Sequence, residues 1–201
     1  MIDTFNTILN PTEFSLYKDK GSKFYGYAYA VEDETEIILV LEQLRKQHNK
    51  ARHFCYAWRL GWDGLQYRVN DDGEPSGSAG LPIYGQIQSK DLTNILIVIV
   101  RYFGGTKLGV SGLITAYKTA SISVLQNATI ITKTIDNQFI ILFSYENMDK
   151  VLRLLKNTTA KIESSKLDLK CEYKIAIRKS ESEKLISELE ELRCLEIISM
   201  E

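Results

Sequence analysis

With 201 residues, 44% of them apolar, the chain can bury a real core, and its length lies between one generous domain and two small ones. Its formal charge of −1 excludes a surface coated in lysine that holds nucleic acid wherever it touches, so any such binding has to be local. Cys55, Cys171 and Cys194 are odd in number and widely spaced, with neither a CxxC pair nor zinc-type spacing, which fits a reducing compartment.

The opening MIDTFNTILNPTEF has neither the basic start nor the long apolar run of a secretion signal, and the apolar run at residues 95–100 is too short to cross a bilayer. A cytoplasmic protein with no membrane partner is expected. Residues 13–30 alternate in character, with Phe24, Gly26 and Ala28 set against Tyr25, Tyr27 and Tyr29 after a DKGS break, which predicts a hairpin. Residues 34–47 place Ile37, Leu41 and Leu44 at helical spacing, with acids at the front and Arg45 and Lys46 at the end. His48 then falls at the exposed end of that helix, as a partner for its dipole.

Residues 54–60 and 65–69 read as short strands divided by Gly61 and Gly64, and a turn-rich segment, 70–80, leads into a helix. The run NILIVIVRY, 94–102, is apolar and β-branched on both faces, the mark of a strand in the middle of a sheet. Residues 110–126 carry Leu113, Ile114, Tyr117, Val124 and Leu125 on one helical stripe, with Ser111 available as an N-cap or first-turn donor. Beyond TIITKTI the order is strand, helix, two strands, helix and strand, the βαββαβ of a ferredoxin-like domain. The fold class is α+β in two domains, 1–132 and 136–201, with no Pro/Gly-rich linker between them.

Three segments can carry chemistry. DDGEPSGSAG, residues 71–80, sets Asp71, Asp72 and Glu74 beside Ser76 and Ser78 on tight backbone; it can offer amides to an anion or oxygens to a hard cation, or be a turn whose acids cap the next helix. RYFGGTKLGVSGL, residues 101–113, joins the buried strand to the long helix; Arg101, Gly104, Gly105, Lys107, Gly109, Ser111 and Gly112 form a glycine-rich junction suited to phosphate. Its Gly104–Gly109 spacing matches a P-loop, but Val110 stands where the lysine belongs, which excludes a Walker ATPase.

Between Leu92 and Ile135 there is no Asp or Glu, whereas Arg101, Lys107, Lys118 and Lys133 all fall there, so a local positive potential is expected. The two loops are expected to line one cleft. In the third segment, ARHFCYAW, His53 and Cys55 share a strand face but lie ~6 to 7 Å apart, too far to pair as base and nucleophile. A buried Cys55 is the reading, with His53 kept as a polar contact or acid/base candidate. Trp58, Trp62 and the tyrosines could stack on bases, although no RNP-type motif accompanies them and most such rings are core.

The strings KGSKF, ARHFCYAW, DDGEPSGSAG and RYFGGTKLGVSGL occur here in the order found in the IMPACT/YigZ family, which this chain resembles over about residues 13–130. The resemblance implies an N-terminal domain like the ribosomal-protein and elongation-factor modules built on a left-handed βαβ unit. It also implies a C-terminal ferredoxin-like module like the last domain of elongation factor G. It further implies a role like that of the eukaryotic members, which regulate translation by restraining activation of an initiation-factor kinase through a partner.

Two functions follow as expectations. One is a translation-associated regulator, without a cofactor, that binds RNA, the ribosome, a protein of the translation apparatus or a phosphate-bearing ligand through the glycine loop. The other is an enzyme on a phosphate-ester or acyl small molecule, with Asp71, Asp72 or Glu74 binding metal or moving protons. The absence of a nucleophile–base pair favours binding, and the residues leave metal binding open.

Overall fold

The structure is a computed structural model in which residues 3–12 and 14–200 are described, without the side chains of residues 199 and 200. The chain divides into two compact units, Phe5–Lys133 and Thr134–Glu201 joined by Met1–Thr4.

In the larger unit, β1 (Thr4–Ile8) precedes the hairpin β2 (Ser15–Asp19) and β3 (Ser22–Ala30). Asp19 pairs with Ser22 across a two-residue turn in which Lys20 and Gly21 both have positive φ, the backbone that matches the twist of two adjoining strands. Helix α1 (Glu34–Gln47) is fixed at its start by two side-chain bonds: the N-cap Asp33 accepts from the Glu36 amide at 2.9 Å, and Glu36 accepts from the Glu32 amide at 2.8 Å. Then come β4 (His53–Leu60), β5 (Gln66–Asn70), α2 (Gly80–Ser89), β6 (Ile95–Tyr102), α3 (Gly109–Gln126) and β7 (Ile130–Thr134).

The five-stranded sheet has the order β2-β3-β6-β4-β5, with β6 at its centre and every neighbouring pair antiparallel. Strands β3 and β4 therefore run parallel on either side of β6, and α1 is the crossover between them. The period-2 alternation of strand side chains decides what each face meets. Phe24, Ala28, Cys55, Ile97 and Ile99 pack with Ile83 of α2 and with Leu113, Tyr117 and Val124 of α3. Tyr27, Phe54, Trp58, Val98 and Val100 pack on the other side with Ile37 and Leu44 of α1. Strand β6 is apolar on both faces because both are covered.

The pairing of β1 with β7 is a finding that the residues do not announce. These are two short, partly exposed strands from opposite ends of the unit, tied by the Leu9 amide to the Thr129 carbonyl at 2.9 Å and by the Thr132 hydroxyl to the Asn6 side chain.

In the smaller unit, β8 (Asp136–Ser144), α4 (Met148–Lys156), β9 (Lys161–Lys166), β10 (Lys170–Arg178), α5 (Lys179–Glu191) and β11 (Leu195–Met200) follow in order. The sheet order β11-β8-β10-β9, antiparallel throughout, is the ferredoxin-like arrangement. Its core joins Ile141, Phe143, Tyr173 and Ile175 to Val151, Leu155, Leu185 and Leu189. Arg178 pairs with Asp3 at 2.6 Å, and hydrogen bonds from Ser180 and Arg178 hold the Asp3 carboxyl below its usual range.

His48 corrects the sequence reading. It is buried rather than exposed, because the helix end turns its ring into the tyrosines of the α1 face: Nε2 lies 2.6 Å from the Tyr27 hydroxyl and Nδ1 lies 3.0 Å from that of Tyr102. Burial pushes the His48 pKa below its ordinary 6.5 and pushes Tyr27 up to about 12. The sign is set by the unfolded state, which takes up the His48 proton first as pH falls, so stability is full above about pH 6.5 and declines as pH drops through it. We predict that the urea midpoint of the intact chain decreases between about pH 7 and 5.5 and that His48→Gln flattens this slope. Identical slopes would assign the acid sensitivity to other groups.

Candidate functional site

The first functional segment is shaped by its own acids. Asp71 accepts from the Gly77 amide through Oδ2 at 2.8 Å and from the Ala79 and Gly80 amides through Oδ1 at 2.9 and 2.8 Å. Ala79 and Gly80 open α2, so Asp71 caps that helix from eight or nine residues upstream. Asp72, with φ of 39°, accepts from the Phe54 amide at 2.7 Å and pairs with Arg45 at 3.3 Å. Asp71 thus takes the helix-capping role, while Asp72 ties the loop to β4 and α1.

Glu74 does something else. Its side chain is 5% exposed, and Oε1 accepts from Arg101 Nη1 at 2.6 Å and from the Tyr117 hydroxyl at 2.8 Å. Arg101, itself buried, sits on the α3 face of β6, flanked across the sheet by Phe24 and His53. Its Nη2 reaches Ser22 Oγ at 3.4 Å, and its Nε has no hydrogen-bond partner among the described residues. The positive stretch read along the chain is therefore partly neutralised in space by a carboxylate from another loop.

Cys55 lies under this network, with Sγ 3.0 Å from the Asp71 carbonyl oxygen and 3.2 Å from the Tyr117 hydroxyl. Burial pushes the Cys55 thiol and the Tyr117 hydroxyl well above their usual ranges, so both stay protonated and serve as donors. His53 turns elsewhere: its Nδ1 is 2.9 Å from the Asp72 carbonyl oxygen. His53 and Cys55 form no pair, in keeping with their spacing.

The glycine junction owes its form to close packing. A Cβ on Gly104 would collide with the backbone of Gly21 and Ser22 at the β2–β3 turn, and the Gly104 amide donates to Ser22 Oγ at 3.2 Å. Gly105 and Gly109 have φ of 88° and 73°, which frees the chain to bend out and re-enter α3. Leu108, not Ser111, is the N-cap; it gives α3 no side-chain cap, and no acid occupies the first turn. Ser111 lies exposed in that turn, with its carbonyl bonded to Thr115, and Gly112 packs beside Leu108.

The two loops meet. Glu74 and Pro75 line a hollow of about 350 Å³ together with Arg101, Phe103, the exposed Lys107 and Leu113. Ser76 is exposed on the first loop, whereas Ser78 is fully buried and donates to the Pro75 carbonyl at 2.6 Å, which removes it from any ligand surface. Trp58 is core and Trp62 is partly exposed. No group of three or more His, Cys, Asp or Glu among the described residues is placed to hold a metal ion.

Sequence reasoning missed Tyr117 as part of this site, reading it only as packing. A tyrosine inside an apolar stripe is the available signal, since a buried hydroxyl requires a partner.

Comparison with known proteins gives this geometry its family. A profile of the Impact N-terminal domain matches residues 20–125, which hold both loops, the central strand and all but the last residue of α3. The chain belongs to that family. It is 37% identical over 117 residues to the IMPACT family member YvyE of Bacillus subtilis, covering 58% of this chain and 54% of that protein. It is 35% identical over 127 residues to YigZ of Escherichia coli, covering 62% of each. The matches thus span little more than half the length of these curated relatives. A crystal structure described only as that of a hypothetical protein covers 100% of this chain and 99% of its own, with a TM-score of 0.77 at 26% identity.

The Glu74–Arg101 pair gives a direct test. Removing one partner of a buried ion pair strands the other charge, so Glu74→Ala should lower unfolding stability by ~3–5 kcal/mol. Urea denaturation followed by circular dichroism measures it; a loss under about 1 kcal/mol would show that water or another group compensates Arg101.

Proposed function

We propose that this protein is a translation-associated regulatory protein that binds RNA, the ribosome or another phosphate-bearing ligand of the translation apparatus through the glycine loop of residues 104–109. The observation that carries the reading is Lys107, exposed at the rim of a hollow beside a helix that starts with no acid and no side-chain cap. The positive end of such a helix, next to a lysine on mobile-stemmed methylenes, suits a phosphate oxygen. The translation role is the one the family resemblance implies, and it is consistent with 32% identity over 94 residues to the IMPACT homologue of Saccharomyces cerevisiae.

The enzyme reading loses support from the carboxylates. Asp71 is occupied by three backbone amides, Asp72 by an amide and Arg45, and Glu74 by Arg101 and Tyr117, so none stands ready to take a substrate proton. Among the described residues no helix is long and apolar enough to cross a membrane. A cytoplasmic site of action accords with the proposed partners.

The test is Lys107→Glu, which should weaken association with RNA or ribosomes by roughly 1 to 3 kcal/mol and leave the melting temperature nearly unchanged. Binding by the parent should fall with added salt along a shallow slope, because a local patch neutralises few phosphates. Equal affinity of parent and variant at low salt would remove the glycine loop as the contact.

A further inference from the structure

Phe103 stands just past the end of β6, between two hollows. One is the hollow with Lys107; the other, about 320 Å³, is lined by Lys50, Arg52, Arg101, Tyr102 and Phe103 itself. The ring is 56% exposed and belongs to neither core of its unit. The Arg101 guanidinium lies 5.6 Å from the ring, lines both hollows and keeps a buried Nε without a partner among the described residues.

Charge points the same way. The two hollows together carry four cations, Lys50, Arg52, Arg101 and Lys107, against one carboxylate, Glu74, in a chain whose formal charge is −1. Glu74 is taken by Arg101, and among the described residues no carboxylate pairs with the other three.

We propose that this surface binds single-stranded nucleic acid, with one base stacked on Phe103 and the adjoining phosphates held by Lys50 and Arg52 on one side and Lys107 on the other. The inference rests on the binding reading above and deepens it by naming the ligand class. An aromatic ring between two cationic hollows fits a chain that alternates flat bases with phosphates. In a duplex both faces of each base are already stacked, so the ring has nothing to add. An acidic polypeptide would use the cations and gain little from the ring.

The experiment is fluorescence anisotropy with a labelled single-stranded RNA of mixed sequence, the same RNA annealed to its complement, and polyglutamate as competitor. The proteins are the intact chain, Phe103→Ala, Phe103→Tyr and Lys107→Glu, each checked for an unchanged melting curve. Phe103→Ala should weaken single-strand binding about tenfold, Phe103→Tyr should restore it, and duplex binding should be weaker and insensitive to both changes.

If Lys107→Glu weakens RNA binding while Phe103→Ala does not, the stacking surface is wrong and the glycine-loop reading stands. If the intact chain binds neither single-stranded nor duplex RNA, both fall. Polyglutamate that displaces RNA, with equal affinity for parent and Phe103→Ala, would overturn the proposal in favour of an acidic protein partner.

Discussion

The buried pair between Glu74 and Arg101 is the interaction on which the rest of the first unit's functional surface depends. Arg101 belongs to the central strand, Glu74 to the loop before α2, Tyr117 to α3 and Ser22 to the first hairpin, and their polar atoms converge within 2.6 to 3.4 Å. Charges so buried are tolerated only when each finds a partner, so four separate segments are held in one register. With 5% exposure on both sides, neither group is screened by solvent in the way a surface pair is. The pair therefore acts less as a source of net stability than as a device that fixes where the glycine loop emerges.

Fixing that loop matters to the proposed binding because the chain has almost no net charge, −1, with which to attract a polyanion. Around Phe103 the first unit gathers Lys50, Arg52 and Lys107, none of which pairs with a carboxylate among the described residues, whereas the smaller unit spends much of its charge in local pairs, Lys166 with Glu172, Lys170 with Glu196 and Lys174 with Glu163. Such exposed mixed-sign pairs contribute little to stability and leave little field at a distance. The distribution, rather than the total, sets where an anion is drawn.

Much of this was legible in the residues, and what was not has common causes. The alternation across residues 24–29, the two-sided apolar run at 95–100 and the helical spacing at 34–47 each reflect a local period, so strands, faces and α1 could be placed directly. The C-terminal βαββαβ order was equally plain. The β1–β7 pair was not, because strand pairing across more than a hundred residues leaves no local period. His48 was misplaced for a related reason: helical position gave it the end of α1, but only the tertiary fold brings Tyr27 and Tyr102 to its ring nitrogens. In the site, glycines and Lys107 raised the expectation of a loop for anions, yet Glu74 entering from a distant segment changed the charge that linear spacing implied. For Asp71 and Asp72 the residues left chemistry and helix capping both open, because the backbone amides they satisfy come together only in the fold.

The proposed function and the stacking surface both place the contact on the first unit, around the glycine loop. The most direct measurement is photo-crosslinking of the intact chain to a single-stranded RNA bearing 4-thiouridine, with the attached peptides identified by mass spectrometry. The account predicts crosslinks in residues 50–52 and 101–109, on the surface that surrounds Phe103 and Lys107. Crosslinks confined to residues 134–200 would contradict it, for they would put the nucleic acid on the ferredoxin-like unit and leave the glycine loop without the role assigned to it.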